Sequence, residues 1–581
     1  MDFLDMRFLS FIGIKKIPDA PWSKYYKKGD MKINPRNENI YTFVKNQMKK
    51  YEYENKTAIN YYGTKITYRE FFQKIDDTEK KFRILGVRKL DIVTIISANI
   101  PEALISFYAL NKIGAVANLL HPLLSENEIK NALNLYKTKY LLAMDITLEK
   151  IDNIINQTMV KKVIVLSPDT SMKKIKKIIY KIISFKDKYF VNSKSIYMTW
   201  KKFMKLEGSY KEVSNLVRRD DPSLILQSGG STGTPKGIVL SNGNINAATI
   251  SALRAYPDLD KNDVILGIMP IFHGFGLEVS INDAFSVGAE VVLIPTFKSN
   301  KFHELIKKYQ PTVLVGVPTL FEALTTNSNM EGVSLSRLKY VISGGDTLNK
   351  SRVLNINNFL YEHGSRTNMI QGYGLTEAVA AVSVDLKGNS HPGTIGIPWP
   401  GIYIKIFEPN TEKPVPYNED GEICVCGPTV MLGYYNNEAE TNQALKFHRD
   451  GNIWLHTGDL GSMDENGFIT YKQRLKRMIV VSGFNVYPSR IEEVLMNHES
   501  VLTVSVIGIP HPYKMEVPKA YIVLKKGYHK SDKLINELQE LCKKNLDHYS
   551  VPKEFEFRSS LPKTIVGKID FNKLQKENER K

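Results

Sequence analysis

Two hydrophobic rhythms alternate through the first part of the chain. Residues 68–86 (YREFFQKIDDTEKKFRILG) repeat apolar side chains at helical spacing, whereas LDIVTIISAN at 90–99 is a continuous apolar run the length of a buried strand. EALISFYALNKIG then predicts a second helix, and AVANLL at 115–120 a second strand. The alternation continues through KKVIVLS (161–167), AEVVLIP (289–295), PTVLVGVP (311–318) and LKYVISGG (338–345). Strands that are apolar along their whole length and separated by helices predict α/β layers around largely parallel sheet. No fixed-period repeat interrupts this pattern.

The texture changes near residue 400, where IYIKIFEP, GEICVCGP and GFITYKQ are short strand-like runs punctuated by Gly, Pro and Asn. They predict a small β-rich subdomain. After RLKRMIVVSG, the helix SRIEEVLMNH, the strands VLTVSVIGIP and KAYIVLKKG, and the helix SDKLINELQELCKKNL predict a final α+β unit of ordinary domain size. The expected organisation is a large N-terminal domain of layered α/β subdomains over 1–474 and a small mobile α+β domain over 475–581. Their junction, near Lys476, is short and charged, which suits a hinge better than a loose tether.

With 581 residues, 43% of them hydrophobic and 24% charged, the chain has the composition of a soluble multidomain protein. No uncharged apolar run reaches bilayer length, and MDFLDMRFLSFIGIKKI is a poor signal peptide because acids precede its apolar residues. Cys424, Cys426 and Cys542 cannot build a disulfide framework, and a lone C-x-C is weak as a metal site. Packing roles in a reducing cytoplasm are expected for all three.

The net charge of +18 changes the picture in one place, MKKIKKIIYKIISFKDKYF at 172–190. Met172, Ile175, Ile178, Ile179, Ile182 and Ile183 fall at helical spacing with lysines between them. Two readings stand: a basic amphipathic helix lying on the inner face of a membrane, or a helix packed on the domain with a solvated lysine face. Nucleic-acid binding is disfavoured, since no recognisable binding motif or stacking aromatic platform accompanies the basic residues.

Between two apolar runs lies LQSGGSTGTPKGIVL, residues 226–240. Its backbone N–H groups and the hydroxyls of Ser228, Ser231 and Thr232 suit a phosphate oxyanion, and Lys236 adds charge. Pro235 before the lysine and Gly237 after it exclude a Walker A loop. Alone, the loop fits phosphate binding, but an ordinary exposed turn is the commoner role of such Gly-Ser-Thr clusters.

Companion motifs decide between these. QGYGLTEA (371–378), WLHTGDLG (454–461), QRLKRMIVVSGFNVYPSRIEE (473–493) and LPKTIVGKIDF (561–571) follow in order. Together they resemble the adenylate-forming superfamily of acyl-CoA synthetases, luciferases and peptide-synthetase adenylation domains. The resemblance runs from TYREFF at 67–72 to the C-terminal lysine motif. It implies ATP, Mg²⁺ and CoA as reaction partners of a small-molecule carboxylic acid. By that resemblance, Ser228, Gly229, Gly230, Ser231, Thr232, Gly233 and Lys236 cradle the β- and γ-phosphates. Thr376 and Glu377 hold Mg²⁺ and meet the α-phosphate, with Thr232 a further metal contact. Gly344, Gly345 and Asp346 with Tyr373 and Gly374 form the adenine slot, Asp459 and Arg474 read the ribose, and His273 borders the acyl site. Lys568 bridges carboxylate and α-phosphate, Lys476 is the hinge residue, and Gly483 gives clearance to the pantetheine arm after the C-terminal domain rotates.

APWSKYY at 20–26, the Gly229-Gly230 pair and the lysine-rich insertion are similar to bacterial medium- and long-chain fatty acyl-CoA synthetases. HGFGLEVSINDAFSVG has little charge near its start, as an apolar acyl tunnel requires. An aryl- or short-acid CoA ligase, or an acyl-AMP ligase loading a carrier protein, are the alternatives. One departure is Phe571, where the superfamily often has Arg three residues after its lysine.

Overall fold

The computed structural model describes residues 14, 16–183, 196–210, 216–228, 236–346, 348, 350–388, 391–482, 484–511, 513–563 and 569–579. The chain divides into two compact units. One takes the residues up to Ser228, Lys236–Tyr403 and Val425–Leu455; the other takes Ile404–Cys424 and the residues from His456 on.

Among the described residues, the larger unit is built on two sheets. In chain position across the first, the strands run Ile397–Pro398, Ala381–Val384, Met369–Gly374, Tyr340–Ser343, Val313–Gly316, Val264–Gly267, Glu290–Leu293, Thr57–Tyr61 and Thr64–Thr67. Pairing is parallel from Met369–Gly374 through to Thr57–Tyr61 and antiparallel at both edges. The second sheet runs Gly433–Tyr434, Gly237–Ser241, Pro222–Gln227, Val116–Leu120, Ile92–Ile96, Tyr140–Met144, Lys162–Leu166 and Tyr197–Thr199, parallel except for its first two pairings. Every apolar run expected to be a buried strand contains one, shortened by up to three residues at an end where the run enters a turn. Continuous burial, as at Ile92–Ile96, explains why these strands read as unbroken apolar runs.

The helix Tyr68–Leu85 begins with a reciprocal capping box between Thr67 and Glu70 and ends at Gly86, whose φ of 99° suits glycine. Pro101–Ile113 is buried almost all round, so its sequence is apolar on every face. Against the first sheet, Leu266, Phe302, Leu314, Phe321, Leu324 and Met369 form part of one core cluster.

The lysine-rich segment is helical over Lys174–Ile183, and residues 184–190 lie outside the described residues. Its described isoleucines are exposed, so the packed apolar face with lysines in water is not the arrangement found at Ile175, Ile178 and Ile179. Among the described residues, no helix is long and apolar enough to cross a membrane.

In the second unit, Asp459 to Met463 pair antiparallel with Ile469 to Arg474. Further on, Val501–His511 and Met515–Leu524 form a long antiparallel pair, and Glu554–Phe557 adds a parallel strand. Helices Pro488–Met496 and Asp532–Asn545 cover this sheet through Ile491, Leu495 and Leu538, packed with Ile479 and Val504. The α+β elements expected there are all present. Cys424 and Cys426 lie in the strand Gly421–Cys426 and Cys542 in a helix; all three are buried and outside any disulfide. Burial pushes the Cys426 and Cys542 thiols up to about 12.

Candidate active site

In the larger unit, most of the flagged residues follow the carboxyl ends of strands, where open α/β sheets place their ligands. Ser228 follows Pro222–Gln227, and its N–H donates to the Lys236 carbonyl at 2.9 Å while the Lys236 N–H donates to Ser228 Oγ at 3.0 Å. These bonds close the base of the glycine loop; Gly229, Gly230, Ser231, Thr232 and Gly233 lie outside the described residues.

The Lys236 ammonium makes an ion pair with Glu440 at 2.5 Å and sits 5.0 Å from the Tyr434 ring centroid. Tyr434 in turn donates its phenol proton to Glu377 Oε1 at 2.9 Å. One tyrosine therefore contacts both the loop lysine and the flagged carboxylate. Glu377 lies in the 3-10 turn Thr376–Ala378, and its carbonyl accepts from Met431 N–H at 2.8 Å. Glu377 Oε2 carries no bond to Tyr434, so the carboxylate keeps a hard oxygen to offer a cation, which fits Mg²⁺.

The turn ends at Val379, with φ 73° and ψ −65°. A β-branched residue at positive φ is strained, and such strain is held only where surrounding structure fixes it. A γ-turn centred on Val379 supplies that constraint, with Ala380 N–H donating to the Ala378 carbonyl at 3.0 Å, and Gly274 leaves room for the Val379 carbonyl, which a Cβ there would approach to 2.0 Å. His273, next to Gly274, thus lies beside the turn carrying Thr376 and Glu377. The His273 Nδ1 accepts from Phe275 N–H at 3.2 Å, which leaves Nε2 as the protonated nitrogen of the neutral ring. Gly344 lies near the same place: a Cβ on it would meet the Phe275 ring at 3.3 Å. Gly345 and Asp346 follow it exposed, and Tyr373 and Gly374 close the neighbouring strand Met369–Gly374, half-buried.

After His273, Phe275–Asn282 is π-helical and wholly buried. Its start is apolar, with Phe275 and Leu277 buried, but Glu278 and Asp283 are buried too. Thr249 Oγ1 donates to Glu278 Oε1 at 2.6 Å and Asn282 Nδ2 to Oε2 at 3.3 Å. Burial lifts Glu278 to about 7, and burial with the neighbouring Glu278 charge holds Asp283 well above the usual carboxylate range.

In the smaller unit, Asp459 and Arg474 are partners across two strands, with Nε 2.9 Å from Oδ1. Asp459 is 1% exposed at its side chain and Arg474 54%. Beneath them, His456 Nδ1 meets Glu422 Oε2 at 2.8 Å, and Gly458 N–H donates to Glu422 Oε1 at 3.0 Å. Thr457 Oγ1 donates to the Ile423 carbonyl at 2.6 Å and accepts from Asp459 N–H at 3.1 Å. Burial raises the Glu422 carboxyl, but the His456 hydrogen bond and charge and the Gly458 and Asn410 N–H groups outweigh it, leaving it below the usual range. Cys424 lies with Glu422 and His456 as a compact ligand-type cluster, but both Glu422 oxygens are already engaged by His456 and Gly458.

Lys476 is exposed in the turn Leu475–Arg477. Gly483 and Lys568 lie outside the described residues; Lys563 and Ile569, which flank the latter, form an antiparallel bridge. Phe571 lies under the Arg477 guanidinium, 3.6 Å from its ring centroid.

Sequence reasoning missed Tyr434, Glu440, Glu422 and His456. The signals were present: LGYYNNEAET places tyrosine and acids after an apolar run, and the histidine directly precedes Thr457-Gly458-Asp459.

Residues 45–435 match the AMP-binding enzyme family, and residues 490–568 match the AMP-binding enzyme C-terminal domain. The chain belongs to the AMP-binding enzymes. This AMP-binding enzyme is 33% identical to a long-chain-fatty-acid–CoA ligase of Bacillus subtilis (strain 168), over 90% of its own chain and 92% of the other. It is also 30% identical to a probable 4-coumarate–CoA ligase 1 of Dictyostelium discoideum, over 87% and 91% of the two chains. Among solved structures, ATP-bound MatB from Rhodopseudomonas palustris matches with a TM-score of 0.80 at 24% identity, covering 93% of this chain and 99% of that one. An anthranilate CoA ligase, AuaEII, in complex with anthranoyl-AMP gives 0.79 at 24% identity, covering 94% and 98%. Both likenesses show that the mixed α/β fold is that of adenylate-forming enzymes.

Proposed function

We propose that this enzyme activates a medium- or long-chain fatty acid with ATP and transfers the acyl group to CoA. The observation that carries the reading is the full-length similarity to a long-chain-fatty-acid–CoA ligase. In the first half-reaction a carboxylate oxygen attacks the α-phosphorus, the bond to the β-phosphate oxygen breaks, and pyrophosphate leaves. In the second, the thiol sulfur of CoA attacks the acyl carbon, the bond to AMP breaks, and the thiol proton passes to solvent or a base.

Two anions meet in the first step, so positive charge must be in place beforehand. Lys236, with Ser228, Gly229, Gly230, Ser231, Thr232 and Gly233, takes the β- and γ-phosphates. Glu377, Thr376 and Thr232 hold Mg²⁺, which when bound offsets phosphate charge at the reacting centre. Gly344, Gly345, Asp346, Tyr373 and Gly374 take adenine, and Asp459 with Arg474 takes the ribose hydroxyls. His273 borders the acid. Lys568 meets carboxylate and α-phosphate together, while Lys476 is the hinge between domains of residues 1–474 and 475–581. Gly483 leaves room for the pantetheine arm. A cytoplasmic setting suits three buried cysteines outside any disulfide. Peripheral attachment to a membrane completes this reading, since long-chain acids partition into lipid.

A pyrophosphate-release assay over acids of graded chain length, with and without CoA, tests it. Release that rises with chain length and thioester formation on adding CoA are expected. Preference for aryl acids, or release without thioester, would replace the reading with an aryl-acid ligase or an acyl-AMP ligase respectively.

A further inference from the structure

Helix Lys174–Ile183 packs with its apolar face outward. Ile175, Ile178 and Ile179, spaced to share one helix face, are 75%, 59% and 50% exposed. Two lysines face the protein instead. Lys176 Nζ donates to the Tyr62 carbonyl at 2.6 Å and lies 5.6 Å from the Tyr62 ring, and Lys177 lies 3.7 Å from Asp169. These contacts fix the rotation of the helix about its axis.

A basic rim accompanies the isoleucines. Lys173 and Lys174 are exposed at the start of the helix. An exposed β-branched apolar cluster edged by lysines is unfavourable in water but complementary to the boundary between anionic headgroups and acyl chains.

We propose that the Ile175–Ile178–Ile179 face docks this enzyme on an anionic lipid surface, with Lys173 and Lys174 meeting the lipid phosphates. The proposal deepens the fatty-acid reading and rests on it for its purpose, because acid held in the bilayer would then be taken up at the surface.

Sedimentation of the full chain with vesicles containing about one-third phosphatidylglycerol in phosphatidylcholine tests it, since each lysine near such a surface adds about a tenfold-or-less gain in affinity. The wild type is expected to sediment with these vesicles at low salt, to release at high salt, and to ignore pure phosphatidylcholine. Ile175→Ser/Ile178→Ser/Ile179→Ser should abolish binding, and Lys173→Gln/Lys174→Gln should weaken it about thirtyfold, about fivefold for each lysine. Both variants should keep wild-type pyrophosphate release with a soluble short acid. Failure of the wild type to bind, or unchanged binding by the triple variant, overturns the proposal; so does a change in oligomeric state of the triple variant with no change in vesicle binding, which would assign the face to a second copy. Vesicle binding without activation of any fatty acid would leave the docking intact and remove the proposed function.

Discussion

Tyr434 holds Glu377 by a 2.9 Å hydrogen bond from its phenol oxygen while its ring carries the Lys236 ammonium. The pairing sets the orientation of a carboxylate that is proposed to meet Mg²⁺, and it does so from a segment more than fifty residues further along the chain.

Tyr434→Phe keeps the ring under Lys236 but removes the bond to Glu377. The bond joins a hydroxyl to a charged acceptor, so its loss is worth about 1.5–3 kcal/mol. The Michaelis constant for MgATP should rise about tenfold, with a shift of the Mg²⁺ titration to higher concentration. Unchanged Mg²⁺ dependence would separate Tyr434 from metal binding.

Glu422 is the centre of the second prediction. Its folded pKa lies below the usual range, so its contribution to stability is present above the unfolded pKa and is lost as pH falls through the folded one. Glu422→Gln should lower stability near neutral pH by about 1–3 kcal/mol, because it leaves His456 and Gly458 N–H short of their acceptor. The gap between variant and wild type should shrink as pH falls through the acid range. Thermal melts over pH check this, and a gap that widens in acid would contradict it. If Asp459 reads ribose, the variant should also raise the Michaelis constant for ATP more than it lowers turnover.

Glu278 gives the opposite sign. Its folded pKa is about 7, above that of an unfolded carboxyl, so the folded state binds more protons through the intervening range. Stability should therefore fall as pH rises from about 5 to about 8. Glu278→Gln should flatten that slope, by an amount on the order of 1–3 kcal/mol at its upper end. Parallel slopes for variant and wild type would show that Glu278 keeps no extra proton in the fold.

These groups also mark where the sequence stopped being readable. Runs such as VLVG and YVIS announce themselves because parallel strands buried on both faces need apolar side chains at every position. Lys236 and Glu377 stand in motifs of local character, a glycine loop and a strand-to-turn junction, and so could be picked out one at a time. Glu440 could not, because its meaning is a contact with Lys236 across 204 residues, and an acid in the first turn of a helix is ordinary in itself. The same limit applies to the lysine-rich helix. Periodicity places Ile175, Ile178 and Ile179 on one face, but only the contacts of Lys176 and Lys177 decide which face turns to the protein. Val379 is a third case, since nothing in its side chain predicts positive φ; the Ala380-to-Ala378 backbone bond closes the γ-turn around it, and Gly274 leaves room for its carbonyl.

Phe571 replaces a residue that is often arginine in related enzymes, and its ring supports Arg477 instead. Arg477 is also held by Glu492 at 2.5 Å, one residue beyond the proposed hinge at Lys476. The stack therefore ties the start of helix Phe571–Glu579 to the segment that leaves the hinge, and Lys568 lies three residues before that helix. A partly desolvated cation–π contact is worth about 1–2 kcal/mol. Phe571→Ala should loosen the placement of Lys568 and slow acyl-adenylate formation about tenfold, while transfer from supplied acyl-adenylate to CoA changes little. Phe571→Trp, which keeps an aromatic face for Arg477, should restore most of the rate. Equal losses in both half-reactions, or no rescue by tryptophan, would mean that the stack serves the stability of the C-terminal segment and not the position of its lysine.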